Sequence, residues 1–285
     1  MVRVVLAGGG TAGHTSPLIA TAEALKAAEP QVQITCIGTA RGLETRVVPE
    51  AGLVLELVPA VPLPRKPSLD LLKVPFRLAG AVRAAKRILR QAEADVVCGF
   101  GGYVAMPAYL AARRLGIPVV IQEQNAVPGI ANKVAARFAA AVLTSFPGTP
   151  LTGARFEGLP VRTEITELAA AGRLSRQAAQ RNRFGLHPDL PVLLVSGGSQ
   201  GARSLNNATL DATGRLLAAG IQVLHIWGNK NFHAGLTEQI DPGTGACYRP
   251  LAYVDHMSDA YAAADLMLAR SGAGTVVETA VVGLP

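Results

Sequence analysis

The sequence is poor in cysteine, in aromatic residues and in long apolar runs, and each shortage excludes a class of protein. Cys36, Cys98 and Cys247 lie far apart without any C-x-x-C pair, which excludes a disulfide framework and a zinc site and favours a reducing compartment. Aromatic residues make up 5% of the chain and no nucleic-acid-binding motif is present, so nucleic acid is not an expected partner. No apolar run reaches the roughly 18 residues of a membrane-spanning helix, so any membrane contact is expected to be peripheral.

Acidic residues are missing from two places where they would define other sites. The chain has no D-x-D pair, so we expect helix N-termini, rather than a metal ion, to stabilise negative charge, and we expect no cofactor. The run from Gly8 to Gly13 has the form G-x-G-x-x-G after a strand and before a helix, which is typical of dinucleotide sites. Such a site also needs an acid at the end of the second strand, and the run from Ile34 to Gly38 ends without one. An NAD(P)-dependent oxidoreductase is therefore only the alternative hypothesis.

Positive charge is concentrated in one segment. The net charge is +7, and the segment from Arg65 to Arg90 holds eight basic residues and one acid, which accounts for all of it. Leu71, Leu78, Val82, Ala85 and Leu89 form a helical stripe that should face the core. The opposite side mixes cations with large apolar groups, as interfacial membrane helices do. The predicted membrane face consists of Leu69, Leu72, Lys73, Phe76, Arg77, Arg83 and Arg87.

Apolar runs bounded by glycine alternate with alanine-rich helical stretches, which predicts an α/β fold with parallel sheets. The short run at 2–7 predicts a first buried strand, since it is too short for a secretory signal core. Further strands are predicted at 32–38, 53–59, 95–98, 119–122, 141–145, 192–196, 222–227, 246–250 and 266–269. Helices are predicted at 15–28, 41–51, 69–93, 105–115, 129–138, 202–219, 257–263 and 275–282. This alternation predicts two doubly wound Rossmann-like domains, 1–160 and 161–285, joined by a hinge at 157–162. The second domain is expected to be incomplete.

Several polar residues lie at the predicted carboxyl ends of strands, where open α/β folds bind ligands. His14 follows the first glycine loop and is either a general base or a structural residue; Glu123 is another candidate base. Ser199 and Gln200 lie in a second glycine loop that suits a diphosphate. Glu278, expected in the first turn of the last helix, suits ribose hydroxyls, although an acid there also compensates the helix dipole. With the cluster from Gly99 to Tyr103, these loops are expected to face one central cleft.

Seven motifs, in order, resemble those of the MurG family of N-acetylglucosaminyltransferases. They are GGGTAGH at 8–14, GFGGYVAMP at 99–107, QEQNAVPG at 122–129, PVR at 160–162, SGGSQGARSLN at 196–206, YVDHM at 253–257 and RSGAGTVVE at 270–278. The resemblance implies an inverting transferase of the GT-B type that moves GlcNAc from UDP-GlcNAc to lipid I, giving lipid II for peptidoglycan. Its implied location is the cytoplasmic face of the cell membrane, with an anionic surface and other cell-wall synthesis proteins as partners.

The resemblance also implies roles for individual residues. His14 is the implied catalytic base. The implied donor-binding residues are Thr11, Gly13, Asn125, Arg162, Ser199, Gln200, Val254, Ala273, Thr275 and Glu278. The implied acceptor-binding residues are Gly10, His14, Gly101, Gly102 and Tyr103. A second alternative, besides the oxidoreductase, is a catalytically inactive fragment that binds the membrane surface.

Overall fold

The computed structural model describes residues 1–61 and 73–285, and the chain divides into two compact units. The first unit is Met1–Arg162 and the second is Thr163–Pro285, so the division falls two residues after position 160. Leu69, Leu71 and Leu72, which belong to the predicted amphipathic segment, lie outside the described residues.

The first unit is built on a seven-stranded sheet whose strand pairs are all parallel. Its strands are β1 Arg3–Ala7, β2 Gln33–Gly38, β3 Val54–Leu57, β4 Val96–Gly99, β5 Val119–Glu123, β6 Ala141–Thr144 and β7 Ala154–Phe156. Its helices are α1 Ala12–Ala28, α2 Glu44–Glu50, α3 Val74–Gln91, α4 Gly102–Leu115 and α5 Ile130–Ala135. The strand order β3-β2-β1-β4-β5-β6-β7 reverses direction between β1 and β4. Ligand sites of open α/β sheets lie at such a switch point.

The central strand β1 shows why the sheet is covered on both faces. Successive side chains of a strand point to opposite faces. Val5 and Ala7 belong to one buried cluster, and Val4 and Leu6 belong to another. A strand buried on both faces needs a continuous apolar run, and this is the pattern that predicted a parallel sheet.

The second unit contains a five-stranded sheet in the order β10-β11-β9-β8-β12. Its strands are β8 Val192–Ser196, β9 Gln222–Ile226, β10 Gln239–Ile240, β11 Cys247–Leu251 and β12 Leu266–Ala269. Its helices are α6 Thr163–Ala171, α7 Gln177–Arg183, α8 Arg203–Ala218, α9 Met257–Ala263 and α10 Ala273–Val282. Only the β10–β11 pair among these strands is antiparallel. The order reverses between β8 and β12, which places a second switch point there.

The structure contains elements that the sequence did not predict. They are β7, β10, α6 and α7. All residues of β7 and β10 are exposed, so neither strand carries the apolar alternation that marks a half-buried strand. Helix α1 begins at Ala12 and α4 at Gly102, three residues earlier than predicted. Pro75 lies in the first turn of α3, where proline is tolerated and need not kink the helix.

The three cysteines are free thiols. Burial raises the pKa of Cys36 and of Cys98 to about 12, so both thiols stay protonated at neutral pH. Within residues 1–61 and 73–285, no group of three His, Cys, Asp or Glu side chains is placed to hold a metal ion. The same residues include no helix with the length and apolar character needed to cross a bilayer.

Candidate functional site

The first group of candidate residues lies at the carboxyl edge of the sheet in the first unit. Strands β1, β4 and β5 are neighbours and run parallel, so the loops that follow them leave the sheet at the same edge. These loops carry the residues around Gly10, the pair Gly101–Gly102 and the residues around Asn125. The switch point between β1 and β4 lies among them.

His14 is the residue around which this edge is arranged. It is the third residue of α1, and its backbone N–H donates to the carbonyl of Thr11 at 3.1 Å. The half-buried ring has Nδ1 3.2 Å from Oε1 of Gln124. A Cβ on Gly101 would lie 3.5 Å from ring atom Cε1, and one on Gly102 would lie 3.4 Å from Cδ2. The structure therefore brings together the predicted His14, Gly101 and Gly102, and it adds Gln124.

One further acceptor candidate, Tyr103, and three of the donor candidates lie on the same edge of the first unit. Tyr103, in the first turn of α4, is 48% exposed. Thr11, Gly13 and Asn125 are also exposed at the ends of their strands or helices. Side chains that are exposed beside a half-buried imidazole are available to a ligand, which is the situation their predicted roles require.

Glu44 is a buried carboxylate that the sequence analysis missed. It is 0% exposed, and its oxygens accept hydrogen bonds from the backbone N–H of Gly10 at 2.7 Å and from the N–H and hydroxyl of Thr39, both at 2.9 Å. A Cβ on Gly9 would lie 2.4 Å from this carboxylate. The Gly10 donor is therefore used within the protein, and a carboxyl group packs against the loop. This arrangement argues against a dinucleotide phosphate on the first glycine loop.

Glu123 holds the loop after β5 and does not have the surroundings of a base. It is 1% exposed. Oxygen Oε1 accepts from the backbone and side-chain amides of Asn125 at 2.9 and 3.1 Å, and Oε2 accepts from Gly129 N–H at 3.0 Å and Asn132 Nδ2 at 2.9 Å. Four donors occupy the two oxygens. The hydroxyl of Tyr109 then donates to Asn132 Oδ1 at 2.8 Å, and burial raises the pKa of Tyr109 well above its usual value.

The second group of candidates lies at the carboxyl edge of the other sheet. Ser196, at the end of β8, is paired with Ile226 at the end of β9 and with Ala269 at the end of β12. The loops that follow the three strands therefore start side by side. They carry Ser199 and Gln200 after β8, and Ala273 and Thr275 at the start of α10.

The loop after β8 is a tight glycine turn packed on its neighbour. Gly198 and Gly201 have φ values of +81° and +70°, a backbone region that favours glycine. A Cβ on Gly201 would lie 2.1 Å from the carbonyl oxygen of Trp227, so only glycine fits. Asn231 Nδ2 donates to the carbonyl of Gln200 at 2.8 Å. The turn thus holds Ser199 and Gln200 at the amino end of α8, where backbone N–H groups favour an anion.

A buried polar network under this loop was also missed by the sequence analysis. Trp227 Nε1 donates to the hydroxyl of Tyr248 at 2.8 Å, which lies 3.1 Å from Nδ1 of His225. Nε2 of His225 lies 3.3 Å from Oδ1 of Asn206, whose amide donates to the Trp227 carbonyl at 3.0 Å. Burial lowers the pKa of His225 to about 4, so the imidazole is neutral at physiological pH. The network fixes the backbone on which Gly201 packs.

Glu278 requires a correction. It is the sixth residue of α10, which begins at Ala273, so it lies in the second turn and not in the first. Compensation of the helix dipole, which acts within the first turn, therefore does not explain it. Glu278 is 8% exposed and accepts a hydrogen bond from the hydroxyl of Tyr261 at 2.8 Å. Among the other donor candidates, Val254 follows β11 and is half-buried, and Arg162 is the half-buried last residue of the first unit.

Helix α3 carries the charged candidate surface. Val82, Ala85 and Leu89 are buried and Leu78 is half-buried, as the predicted stripe requires. Phe76 is 81% exposed. The basic residues Lys73, Arg77, Arg83 and Arg87 are exposed. A shallow groove between α3 and α4 is lined by Pro75, Leu78, Ala79, Val82, Arg83, Lys86, Leu110 and Arg114.

Two Rossmann-like units, each with glycine loops and candidate ligand groups at the carboxyl edge of its sheet, define a glycosyltransferase of the GT-B type. Residues 4–144 match the Glycosyltransferase family 28 N-terminal domain, and residues 192–285 match the Glycosyltransferase family 28 C-terminal domain. The chain belongs to glycosyltransferase family 28.

Similar proteins support the same family. A protein of Cutibacterium acnes is 63% identical over all of this chain, which spans 77% of the relative's length. A protein of Nocardioides sp. is 58% identical over all of this chain, which spans 76% of its length. Both carry the name UDP-N-acetylglucosamine--N-acetylmuramyl-(pentapeptide) pyrophosphoryl-undecaprenol N-acetylglucosamine transferase. The crystal structure of Acinetobacter baumannii MurG matches with a TM-score of 0.66 and 30% identity, over 98% of this chain and 75% of that chain.

Proposed function

We propose that this chain transfers N-acetylglucosamine from UDP-N-acetylglucosamine to N-acetylmuramyl-(pentapeptide) pyrophosphoryl-undecaprenol, the acceptor also called lipid I. Two relatives, 63% and 58% identical, carry the name of this transferase. The observation that carries the proposal is His14, a half-buried imidazole at the switch point of the first sheet. Transfer to a hydroxyl needs such a base within reach of the proton that leaves.

The proposed reaction balances one bond formed against one bond broken. The acceptor hydroxyl oxygen attacks the anomeric carbon of N-acetylglucosamine while the bond from that carbon to the UDP oxygen breaks. The electron pair of that bond leaves with UDP, the configuration at the carbon inverts, and the hydroxyl proton passes to His14. We assign the acceptor to the first unit, with Tyr103 beside His14.

The donor is assigned to the second unit. Ser199 and Gln200, with the amino end of α8, suit the diphosphate because backbone N–H groups and the helix dipole favour the negative charge that develops on UDP. Glu278 suits the ribose because a carboxylate accepts hydrogen bonds from two neighbouring hydroxyls. No step in this assignment uses a metal or another cofactor.

Calorimetric titration tests the proposed donor against the dinucleotide alternative. We expect UDP and UDP-N-acetylglucosamine to bind and NADH not to bind, because the buried Glu44 carboxyl group already accepts the Gly10 N–H that a dinucleotide phosphate would use. A transfer assay with a short-chain lipid I analogue then tests turnover. Binding of NADH without binding of UDP would overturn the proposal in favour of an oxidoreductase. Vesicle binding without either ligand would favour an inactive surface-binding protein.

Replacement of His14 tests the proposed base. His14→Ala should lower kcat by about 10² to 10⁴ fold and leave the Kd for UDP-N-acetylglucosamine nearly unchanged. His187→Ala is the matched control, since it removes an exposed imidazole outside the site, and it should keep wild-type turnover. A loss of about tenfold or less in His14→Ala would return this residue to a structural role.

The exposed side of α3 is proposed to dock the chain on the anionic inner surface of the cell membrane. Each cation near such a surface contributes about 1 kcal/mol, and an exposed aromatic residue such as Phe76 adds apolar insertion. Sedimentation with anionic vesicles should therefore weaken with salt without disappearing. The proposed location is supported by the surface of α3 and by the undecaprenol-linked acceptor in the names of the relatives. Interaction with other cell-wall synthesis proteins stays a prediction.

A charge-matched pair of variants tests the membrane proposal. In the test variant, four basic residues are replaced with Gln. They are Lys73, which precedes α3, and Arg77, Arg83 and Arg87 within it. The control variant replaces four exposed cations elsewhere: Lys26, Arg46, Arg155 and Arg215. Only the test variant should be released from anionic vesicles, and both should keep the wild-type Kd for UDP-N-acetylglucosamine. Equal release of both variants would mean that net charge, and not the α3 surface, causes the binding.

A further inference from the structure

The buried side chain of Gln124 contacts the His14 ring at Nδ1. It follows β5 and is 2% exposed. Its Nε2 donates to the backbone carbonyl of Gln122 at 2.8 Å, and its Oε1 lies 3.2 Å from His14 Nδ1. A backbone carbonyl can only accept, so the amide nitrogen must face Gln122. The amide oxygen is thereby turned to His14.

This orientation decides which ring nitrogen of His14 carries the proton. An amide oxygen only accepts, so Nδ1 must donate to it and must carry the hydrogen. In the neutral ring, Nε2 then holds the free lone pair. Gly102 lies next to Nε2: a Cβ added to this glycine would be 3.7 Å from that nitrogen. Because Gly102 has no side chain and a φ of +78°, the space beside Nε2 stays open.

We infer that Gln124 is a positioning residue that fixes His14 in the Nδ1–H tautomer, so that Nε2 is the atom that takes the acceptor proton. This inference rests on the proposed function, in which His14 is the base. Without Gln124, an imidazole populates both neutral tautomers and its ring can turn. With Gln124, Nδ1 is engaged and the lone pair lies on Nε2, beside Gly102.

Nitrogen-15 NMR of the histidine rings measures the tautomer directly and does not depend on turnover. At about pH 8, where a histidine is ordinarily neutral, the wild-type chain should show His14 as Nδ1–H, assigned by the signal that disappears in His14→Gln. Gln124→Leu should shift the signal to a mixture of tautomers. Gln124→Glu keeps an acceptor oxygen for Nδ1 but cannot donate to the Gln122 carbonyl, so it should restore Nδ1–H without restoring that second bond. The Nε2–H form in wild type, or an unchanged signal in Gln124→Leu, would overturn the inference.

Gln122 supplies the matched control. It lies on β5, two residues before Gln124, is 3% exposed, and its amide donates to the Ser145 hydroxyl and to the Gly158 carbonyl at 3.0 and 2.9 Å without reaching His14. Gln122→Met therefore removes comparable buried hydrogen bonds and should leave the His14 signal unchanged. A signal that changes equally in Gln122→Met and Gln124→Leu would mean general loosening of β5 and would overturn the inference.

Turnover separates the inference from the proposed function on which it rests. Gln124→Leu should lower kcat by about tenfold or more, Gln124→Glu should recover part of it, and KM for UDP-N-acetylglucosamine should not change. Recovery in Gln124→Glu supports the inference, since a merely structural role would not follow the acceptor oxygen. If the NMR result holds but wild type transfers no sugar, the proposed function fails and the tautomer assignment stands. If wild type is active and kcat is unchanged in Gln124→Leu, the positioning role fails.

Discussion

Replacement of Glu123 by Gln distinguishes a carboxylate that holds a loop from one that acts as a base. The buried carboxylate accepts four hydrogen bonds, two on each oxygen. The amide of Gln keeps one oxygen and therefore two of these bonds, and its NH₂ group faces the other two donors. Each hydrogen bond to a charged group contributes about 1.5 to 3 kcal/mol. The loss of two should lower the free energy of unfolding by about 3 to 6 kcal/mol.

Urea unfolding followed by circular dichroism measures this loss. In thermal unfolding, about 1 kcal/mol corresponds to roughly 2 to 4 °C in Tm for a unit of this size, so a fall of roughly 6 to 24 °C is expected. Glu50→Gln is the matched control, because it removes only an exposed ion pair with Arg46 at 3.7 Å, which is worth at most about 1 kcal/mol. A Glu123→Gln protein with wild-type stability and strongly reduced kcat would refute the reasoning and restore Glu123 as a base.

Three further predictions concern the donor site, acid stability and packing. Glu278→Ala should weaken UDP-N-acetylglucosamine binding by about 1.5 to 3 kcal/mol, and Glu278→Gln by less, since Gln keeps one acceptor; calorimetry measures both. The pKa of His225 falls from 6.5 to about 4 in the folded state, so the unfolded chain binds more protons between these values. Stability that is complete above about pH 6.5 should therefore fall by up to roughly 3 kcal/mol as the pH drops to 4, and His225→Gln should flatten that slope in denaturant titrations. Gly99→Ala should cost about 3 kcal/mol or more in thermal unfolding, because its Cβ would lie 2.1 Å from the Tyr109 ring.

Each of these three predictions has a control or a contrary outcome. Glu167→Ala removes an exposed acid of α6 and should leave donor affinity unchanged; equal affinities in wild type and Glu278→Ala would remove Glu278 from the donor site. Identical pH slopes in wild type and His225→Gln would contradict the titration of His225. Gly80 lies in α3 with open space around a Cβ, so Gly80→Ala should stabilise by up to about 1 kcal/mol. Equal effects of the two glycine replacements would contradict the packing argument.

The amphipathic surface of α3 was partly predictable because the spacing of buried and exposed residues in a helix is local. The buried stripe of Val82, Ala85 and Leu89 and the exposed Phe76 follow from the 3.6-residue period of a helix. The first residue of the helix was not predictable in this way, since Pro75 is compatible either with a kink or with a first turn. The choice between them needs the backbone itself.

Helix α10 shows how a small error in a boundary changes the interpretation of a site residue. The sequence predicted a start at position 275, which placed Glu278 in the first turn. The helix begins at Ala273, so Glu278 lies two residues further in, in the second turn, and is buried beside Tyr261. The end of a helix depends on which backbone groups find partners at the edge of the sheet, and a pattern of residues does not contain that information.

The sequence by itself determined the strand and helix alternation, the glycine loops and the basic segment, because each follows from local periodicity, backbone freedom or composition. It also determined the family, since seven ordered motifs resemble it. Only the tertiary structure decided which side chains meet. Glu44 meets Gly10, Gln124 meets His14, and His225 meets Asn206 because helices and loops pack against strands that are distant from them in the sequence. Parallel pairing brings residues that are far apart in the chain to one edge, and buried polar groups there must find partners.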